Sequence, residues 1–178
     1  DIRFEGNGYG EEWVKEAKKR GLSNLKNTPE ALAVWGRKEV IDLFNKMKVL
    51  HPAELAARQD VEYDKYVMNR KIEANVAIDM ARNTILPAAI SYQNFLLENI
   101  MGLEEVFGKE AKSMSIAQRD ILIRTSSLVN DLYASIKRLR ENKEIVNGRK
   151  TTEKIAEGYG DIIFPITEEL GEICTKME

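Results

Sequence analysis

The sequence has little of the residue types that catalytic and metal sites most often need. Its 178 residues include one cysteine, Cys174, and one histidine, His51. A single cysteine excludes a disulfide within the chain, and a thiol without basic neighbours is typical of a buried side chain in a reducing compartment, which favours a cytoplasmic protein. Because His51 stands in a predicted turn and Cys174 near the other end, we predict no catalytic triad.

An excess of charge of one sign and long hydrophobic runs are also missing. The 27 Lys and Arg residues nearly balance 29 Asp and Glu, giving a net charge of -2, so nucleic acid is not an expected partner. Uninterrupted apolar runs fall far short of the roughly 20 residues that cross a bilayer, so no membrane partner is expected either. The remaining composition, 43% hydrophobic and 31% charged, is typical of a helical globular domain.

Start and stop signals divide the first 50 residues into short helices. Glu11 and Glu12 favour a helix start, and Gly21 favours its end after three basic residues, which predicts a helix over about 10–20. Thr28 followed by Pro29 predicts a cap and the first residue of the next helix.

The rest of the chain predicts three long helices, about 52–106, 110–146 and 150–177, with reversals at Gly108 and at Asn147-Gly148. Apolar side chains recur every three or four residues along each of them. On the first helix the stripe comprises Leu55, Tyr63, Tyr66, Val67, Ala74, Ala77, Ala81, Ile85, Ala88, Tyr92, Phe95 and Leu96; Ile121 and Tyr133 belong to the stripe of the second.

These patterns predict an all-α fold. The expected architecture is a long antiparallel three-helix bundle with a kinked central helix and short N-terminal capping helices over 11–50. Residues 11–178 are expected to form one domain. The chain starts at Asp1 without an initiator Met, so we expect it to be part of a longer protein, with residues 1–10 as the joint.

The glycine-rich segment GNGYG, residues 6–10, could bind a phosphate or form a turn. A dinucleotide fingerprint needs a buried strand before it and a helix N-terminus free of negative charge. Only DIRFE precedes these glycines, and Glu11 and Glu12 would repel a phosphate. We therefore interpret the segment as a joint that enters the first helix.

A metal site is the next alternative, because helical bundles can hold metals between inward Glu and Glu-x-x-His side chains. Three carboxylates on the long helix could be considered as ligands, namely Glu73, Asp79 and Glu98. His51 has no ligand partner three or four residues away, and such carboxylates usually face solvent. We predict no metal ligand, cofactor-binding residue or catalytic residue in this chain.

One stretch favours something more specific: IDMARNTILPAAISYQN, residues 78–94. Pro87 has no N–H for the carbonyl oxygen of Asn83, so the helix should kink there. Five polar residues lie around the kink and are candidate helix-kink or interface residues, namely Asp79, Arg82, Asn83, Gln93 and Asn94. Two interpretations stay open: a polar patch that accommodates the bend, or a surface that docks a neighbouring chain. In the last helix Gly158 and Gly160 precede Pro165, which indicates close backbone approach or a weak point.

Three pieces of the sequence resemble one known family. They are GNGYGEEWVKEAKKRGLSNLKNTPEAL at 6–32, ELAARQDVEYDKYVMNRKIEANVAIDMARNTILPAAISYQN at 54–94 and YGDIIFPITEELGEICTKME at 159–178. In this order they resemble the C-terminal helical domain of type III glutamine synthetases. The family pattern has Ser at the position of Gly10 and His at that of Thr84, so any role of that histidine does not transfer here.

The resemblance implies a parent enzyme, a glutamate–ammonia ligase that uses ATP and Mg²⁺ or Mn²⁺ and assembles from hexameric rings. It implies that the catalytic residues lie upstream of Asp1, and that this part packs on the catalytic region and on neighbouring subunits without activity of its own. The alternative is a freestanding helical module that binds a protein partner or acts as a sensor.

Overall fold

A computed structural model describes residues 3–177 of the chain, all of whose regular elements are helical. The predicted all-α class is confirmed. The chain divides into two compact units, Asp1–Glu62 and Tyr63–Glu178. Of the joint predicted at 1–10, the first two residues lie outside the described part, as does residue 178 of the domain predicted at 11–178.

The first unit begins with helix α1, Glu11–Arg20, which confirms the helix predicted over 10–20. Two acidic residues stand in its first turn and three basic residues in its last, so both ends match the helix dipole. Gly21 has a φ of 69°, and its N–H closes the helix on carbonyl oxygens of α1. This left-handed conformation is the physical reason for a glycine at that position.

Helix α2, Thr28–Ala33, corrects a predicted cap. The capping residue is Asn27, whose Oδ1 accepts a hydrogen bond of 2.9 Å from the N–H of Glu30. Thr28 is therefore inside the helix, because the asparagine before it already supplies the acceptor. Helix α3, Lys38–Lys46, follows after a short 3₁₀ turn at Val34–Gly36.

A nearly continuous helical segment runs from Pro52 to Phe107. It consists of α4, Pro52–Met80, one π-helical turn at Ala81–Ile85, and α5, Leu86–Phe107. Gly108 then reverses the chain with a φ of 56°. The short α6, Ala111–Met114, precedes α7, Ile116–Asn147, which starts six residues later than the sequence pattern predicts.

The last part of the chain repeats this arrangement on a smaller scale. Helix α8, Thr152–Gly158, begins where Thr151 Oγ1 accepts from the N–H of Lys154. A second π turn, Tyr159–Ile163, leads into α9, Phe164–Thr175. No helix among residues 3–177 is long and apolar enough to cross a membrane.

The second unit is organised around α7. Cross-helix hydrogen bonds pair Gln93 with Ser126 and Asn99 with Gln118, so α5 and α7 run antiparallel. Arg138 on α7 pairs with Glu169 on α9 and Asn147 with Tyr159, which gives the same antiparallel order. The complete three-helix bundle stays a prediction. The core between these elements comprises Ala74, Ala81, Leu132, Ile136, Leu139, Val146, Tyr159, Ile163, Leu170 and Ile173.

The core does not extend along the whole of α5 and α7. Leu96 and Ile100 are buried between them, but Tyr92 is 45% exposed and Phe95 is 64% exposed. The prediction that these two aromatic side chains belong to the buried stripe is wrong. Helix α9 ends at the cavity that Tyr92 lines.

Candidate functional site at the proline-linked π turns

The kink predicted at Pro87 is confirmed, and it takes the form of a π turn. The backbone N–H of Leu86 donates to the carbonyl oxygen of Ala81, five residues earlier. Pro87 follows as the second residue of α5. A π turn is wider than an α turn by one residue, so the carbonyl groups that a proline ring would meet are displaced.

A second π turn repeats this geometry before Pro165. The N–H of Phe164 donates to the carbonyl oxygen of Tyr159, again five residues earlier, and Pro165 is the second residue of α9. Both π turns pack against α7. Two elements that pack against one helix therefore include a proline in the same way. The sequence predicted a kink at Pro87 and, before Pro165, either close backbone approach or a weak point.

The first π turn presents a polar surface. Asn83 Nδ2 donates to Asp79 Oδ1 at 2.5 Å, one helical turn away, as their spacing of four residues predicts. Both side chains are exposed. This bond holds the amide and the carboxylate together on the outside of the turn.

Asp79 and Asn83 line a cleft of about 300 Å³ between the π turn and the C-terminal half of α7. We call it the π-turn cleft. Its other lining residues are Asn75, Ile78, Arg82, Arg140, Lys143 and Glu144. Three cationic and two anionic side chains thus meet in one place, which suits polar contacts with another chain better than it suits an apolar ligand.

Lys143 is the most perturbed group of this cleft. Burial lowers the pKa of its ammonium group, and the positive charges of Lys71 and Arg140 lower it further, against the opposing effect of Glu144. The ammonium group donates to Asn75 Oδ1 across the two helices. Local sequence patterns carry no signal for this contact, because the partners are 68 residues apart.

The remaining candidates do not join the cleft. Gln93 Nε2 donates to Ser126 Oγ at 2.7 Å, and that hydroxyl donates to the carbonyl oxygen of Leu122, so Gln93 connects α5 to α7. Pro87 and Asn94 are exposed. The structure therefore brings together Asp79, Arg82 and Asn83, and it places the other three candidates elsewhere on α5.

Comparison with known protein families shows which family the chain belongs to. A family model described as the glutamine synthetase C-terminal domain matches residues 1–104. The chain belongs to this family. The predicted resemblance to type III glutamine synthetases is confirmed, since a type-3 glutamine synthetase of Dictyostelium discoideum is 39% identical over 99 residues, which cover 56% of this chain and 14% of the relative.

Two bacterial glutamine synthetases match along almost the whole chain. The one from Bacteroides fragilis (strain YCH46) is 35% identical over 178 residues, covering 99% of this chain and 24% of the relative. The one from Butyrivibrio fibrisolvens is 25% identical over 177 residues, covering 99% of this chain and 25% of the relative. The chain thus spans about a quarter or less of the length of these three relatives.

The other positions that sequence analysis considered have local roles in this glutamine synthetase domain. Glu73 pairs with Arg70 at 2.8 Å, and the guanidinium of Arg70 stacks on the ring of Phe164 at 4.3 Å. His51 Nδ1 accepts from the N–H of Ala53. Among residues 3–177 no group of three or more His, Cys, Asp or Glu side chains is arranged to hold a metal ion.

The glycine-rich segment before α1 forms a turn closed on itself. Asn7 Oδ1 accepts from the N–H of Tyr9, and the carbonyl oxygen of Asn7 accepts from the N–H of Gly10 at 3.0 Å. These amide groups are therefore engaged within the turn. Tyr9 is fully exposed beside it.

Proposed function

We propose that this domain packs on the rest of its own glutamine synthetase subunit and on neighbouring subunits, and that it performs no chemistry itself. Family membership supports the parent activity, the ATP-dependent ligation of ammonia to glutamate. The proposal assigns the ATP and the Mg²⁺ or Mn²⁺ ions of that reaction to the catalytic region. It includes a cytoplasmic location and assembly into hexameric rings.

The observation that carries the packing role is a stripe of exposed apolar side chains on α4. Met68, Ile72, Val76 and Met80 follow one another at intervals of four residues. Each is between 50% and 57% exposed. Such a row on adjacent turns of one helix, on a chain that is only about a quarter of its relatives' length, is typical of a surface that another part of the protein covers.

Covering this stripe would make a favourable contribution to packing. Full burial of an aliphatic or methionine side chain contributes about 1.5–3 kcal/mol, so covering the exposed half of each contributes about 1 kcal/mol. Methionine suits such a surface because its unbranched side chain adapts to the shape of a partner. The π-turn cleft overlaps the C-terminal end of this stripe along the chain and would supply polar contacts beside this apolar surface.

The chemistry that we assign to the parent needs groups beyond those described here. It would phosphorylate the side-chain carboxylate of glutamate and then let ammonia attack the acyl phosphate. Carboxylates that hold metal ions and cations that hold phosphates would have to converge for these steps. Within residues 3–177 the charged groups of the π-turn cleft are instead spread over two helices in an open cleft.

The test compares the 178-residue chain with the full-length enzyme. We expect the chain alone to form no glutamine from glutamate, ammonia and Mg-ATP, and its melting temperature to stay unchanged on addition of Mg-ATP. The full-length enzyme serves as the positive control in both assays. Glutamine formation by the isolated chain, or a saturable rise of its melting temperature with Mg-ATP, would contradict the proposal.

A further inference from the structure

A second cavity, separate from the π-turn cleft, lies where α9 ends between α5 and α7. It has a volume of about 530 Å³, which falls within the range of roughly 300–1,000 Å³ typical of small-molecule sites. Thr84 and Ile85 of the first π turn form one wall, and Met177 closes the side next to α9. We call it the α9-end cavity.

The charges around the α9-end cavity are all of one sign. Arg124 and Lys176 line it, and no Asp or Glu among residues 3–177 does. Within that part of the chain neither cationic side chain forms an ion pair. Both are exposed at the cavity rim. An anionic group entering here would therefore meet two cations in the lining, of which Lys176 also lines a neighbouring cleft that contains Asp131, Glu169 and Glu172.

The rest of the lining is mainly apolar. Ile121 and Leu128 of α7 line it together with Ala88 and Ala89 of α5, and Tyr92 adds an aromatic ring that is 45% exposed. Removing these surfaces from water favours an occupant with a hydrocarbon body. The lining thus combines a hydrophobic wall with a cationic rim, the arrangement that recognises an amphipathic anion.

The length of the groove limits the occupant to a small molecule. Beyond Phe95, Gln118 Nε2 donates to Asn99 Oδ1 at 3.3 Å and bridges α5 and α7. Ala88 and Asn99 are separated by about 16 Å of helix, at 1.5 Å per residue. This distance accommodates a short alkyl chain with its head group, whereas a docked helix of several turns would collide with the bridge.

We propose that the α9-end cavity binds a small carboxylate with an apolar chain of medium length. The carboxylate lies at the guanidinium of Arg124, which can donate two parallel hydrogen bonds to it. The chain lies along the apolar lining toward Leu128 and Ala88. Lys176 follows the last residues of α9, where its charge offsets the carbonyl groups of the helix end that would otherwise repel an anion.

Octanoate and 1-octanol provide matched probes, because they share the eight-carbon chain and differ in the charge of the head group. Calorimetric titration of the 178-residue chain should show saturable binding of octanoate. Its affinity should be at least about tenfold higher than that of 1-octanol, because a hydrogen bond to a charged group contributes at least that factor. Arg124→Gln should reduce octanoate affinity to that of the alcohol. Lys137→Gln, which removes an exposed charge elsewhere on α7, should leave it unchanged.

Cys174 gives a second readout at the site, since the only cysteine of the chain lines this cavity. Octanoate should slow its alkylation by neutral iodoacetamide with the same concentration dependence as the calorimetric signal. Ile121→Asp should abolish this protection, and Ile123→Asp, an exposed residue outside the cavity lining, should not. Helicity by circular dichroism checks that each variant is folded.

Two results would overturn the assignment. One is the absence of saturable octanoate binding and of protection at Cys174 in the folded wild-type chain. The other is equal affinity for octanoate and 1-octanol that Arg124→Gln does not change. Because neither readout involves glutamine formation or assembly, failure here would leave the packing role of the domain untouched.

Discussion

The backbone N–H of Leu86 is bonded to the carbonyl oxygen of Ala81, and this one bond explains how a proline is included in a helix of more than 50 residues. A proline inside an unbroken α-helix costs about 3 kcal/mol or more. Here the turn before Pro87 contains one residue more than an α turn. The bond between Phe164 and Tyr159 does the same before Pro165.

The first prediction concerns this additional residue. Deleting Thr84 should convert the π turn into an α turn and place Pro87 inside a regular helix. The free energy of unfolding should fall by about 3 kcal/mol, because the proline ring then meets a carbonyl group that the wide turn displaces. Urea unfolding followed by circular dichroism measures this change.

The matched variants use Pro87→Ala. In the chain that retains Thr84, Pro87→Ala should change the free energy of unfolding by less than about 1 kcal/mol, since the π turn already accommodates the proline ring. In the chain that lacks Thr84 it should restore most of the lost stability. If Pro87→Ala fails to rescue the deletion, the π turn is not there to accommodate the proline.

The second prediction concerns Gly158, the last residue of α8. A Cβ atom at this position would lie 2.7 Å from Val146 Cγ1 and 2.9 Å from Arg149 Nη1. Side chains of Val146 and Arg149, and not another backbone, therefore approach this glycine closely. Gly158→Ala should lower stability by about 1–2 kcal/mol, because overpacking outweighs the gain in helix propensity.

Two variants control for this effect. Val146→Ala removes the methyl groups in question, so in that background Gly158→Ala should be neutral or stabilising. Gly171→Ala adds a Cβ atom in the interior of α9 with nothing within 4 Å, and it should stabilise the chain by about 0.5–1 kcal/mol. A loss of stability at Gly171 as large as that at Gly158 would refute the steric explanation.

The third prediction concerns alkaline pH. Burial raises the pKa of the Tyr159 phenol; the hydrogen bond with Asn147 offsets part of this rise, and the charge of Glu144 adds to it. The folded chain therefore holds this proton more tightly than the unfolded chain does. The resulting stability is fully present below the unfolded pKa of about 10 and is lost as the pH rises through the folded pKa.

Tyr159→Phe isolates this contribution. At pH 7 it should cost about 0.5–1.5 kcal/mol, through loss of the hydrogen bond of 3.0 Å from the phenol to Asn147 Oδ1. Above pH 10 the variant should lose less stability with rising pH than the wild type. Unfolding free energies measured at pH 7, 9 and 10.5 test the difference, and parallel pH profiles would refute the assignment.

Local signals allowed much of the fold to be predicted from the sequence. Gly21 and Gly108 end helices in a left-handed conformation that few other residues adopt, and Pro87 marked the interruption in the long helix. The error at Tyr92 and Phe95 has a tertiary cause. Their spacing is the same as that of the buried stripe, but α9 ends at the cavity that Tyr92 lines. Periodicity along one helix carries no information about where another ends.

In the candidate site, too, contacts within one helix were predictable and contacts between helices were not. Asp79 and Asn83 could be paired from their spacing of four residues on one helix. Arg140 and Lys143 could not be assigned to the same cleft, because the antiparallel register of α7 brings them there from 60 residues away. Gln93 was identified as polar and near the kink, yet its partner Ser126 follows only from that register.

The central claim is that the exposed stripe on α4 packs within the assembled enzyme, and sedimentation velocity of the full-length protein tests it most directly. Ile72→Glu combined with Val76→Glu should shift the enzyme to smaller species and lower glutamine synthesis, while the isolated domain keeps its unfolding midpoint. Ile123→Glu, at a 69% exposed position of α7, is the control. An intact assembly in the doubly charged variant, or equal dissociation in the control, would contradict the account.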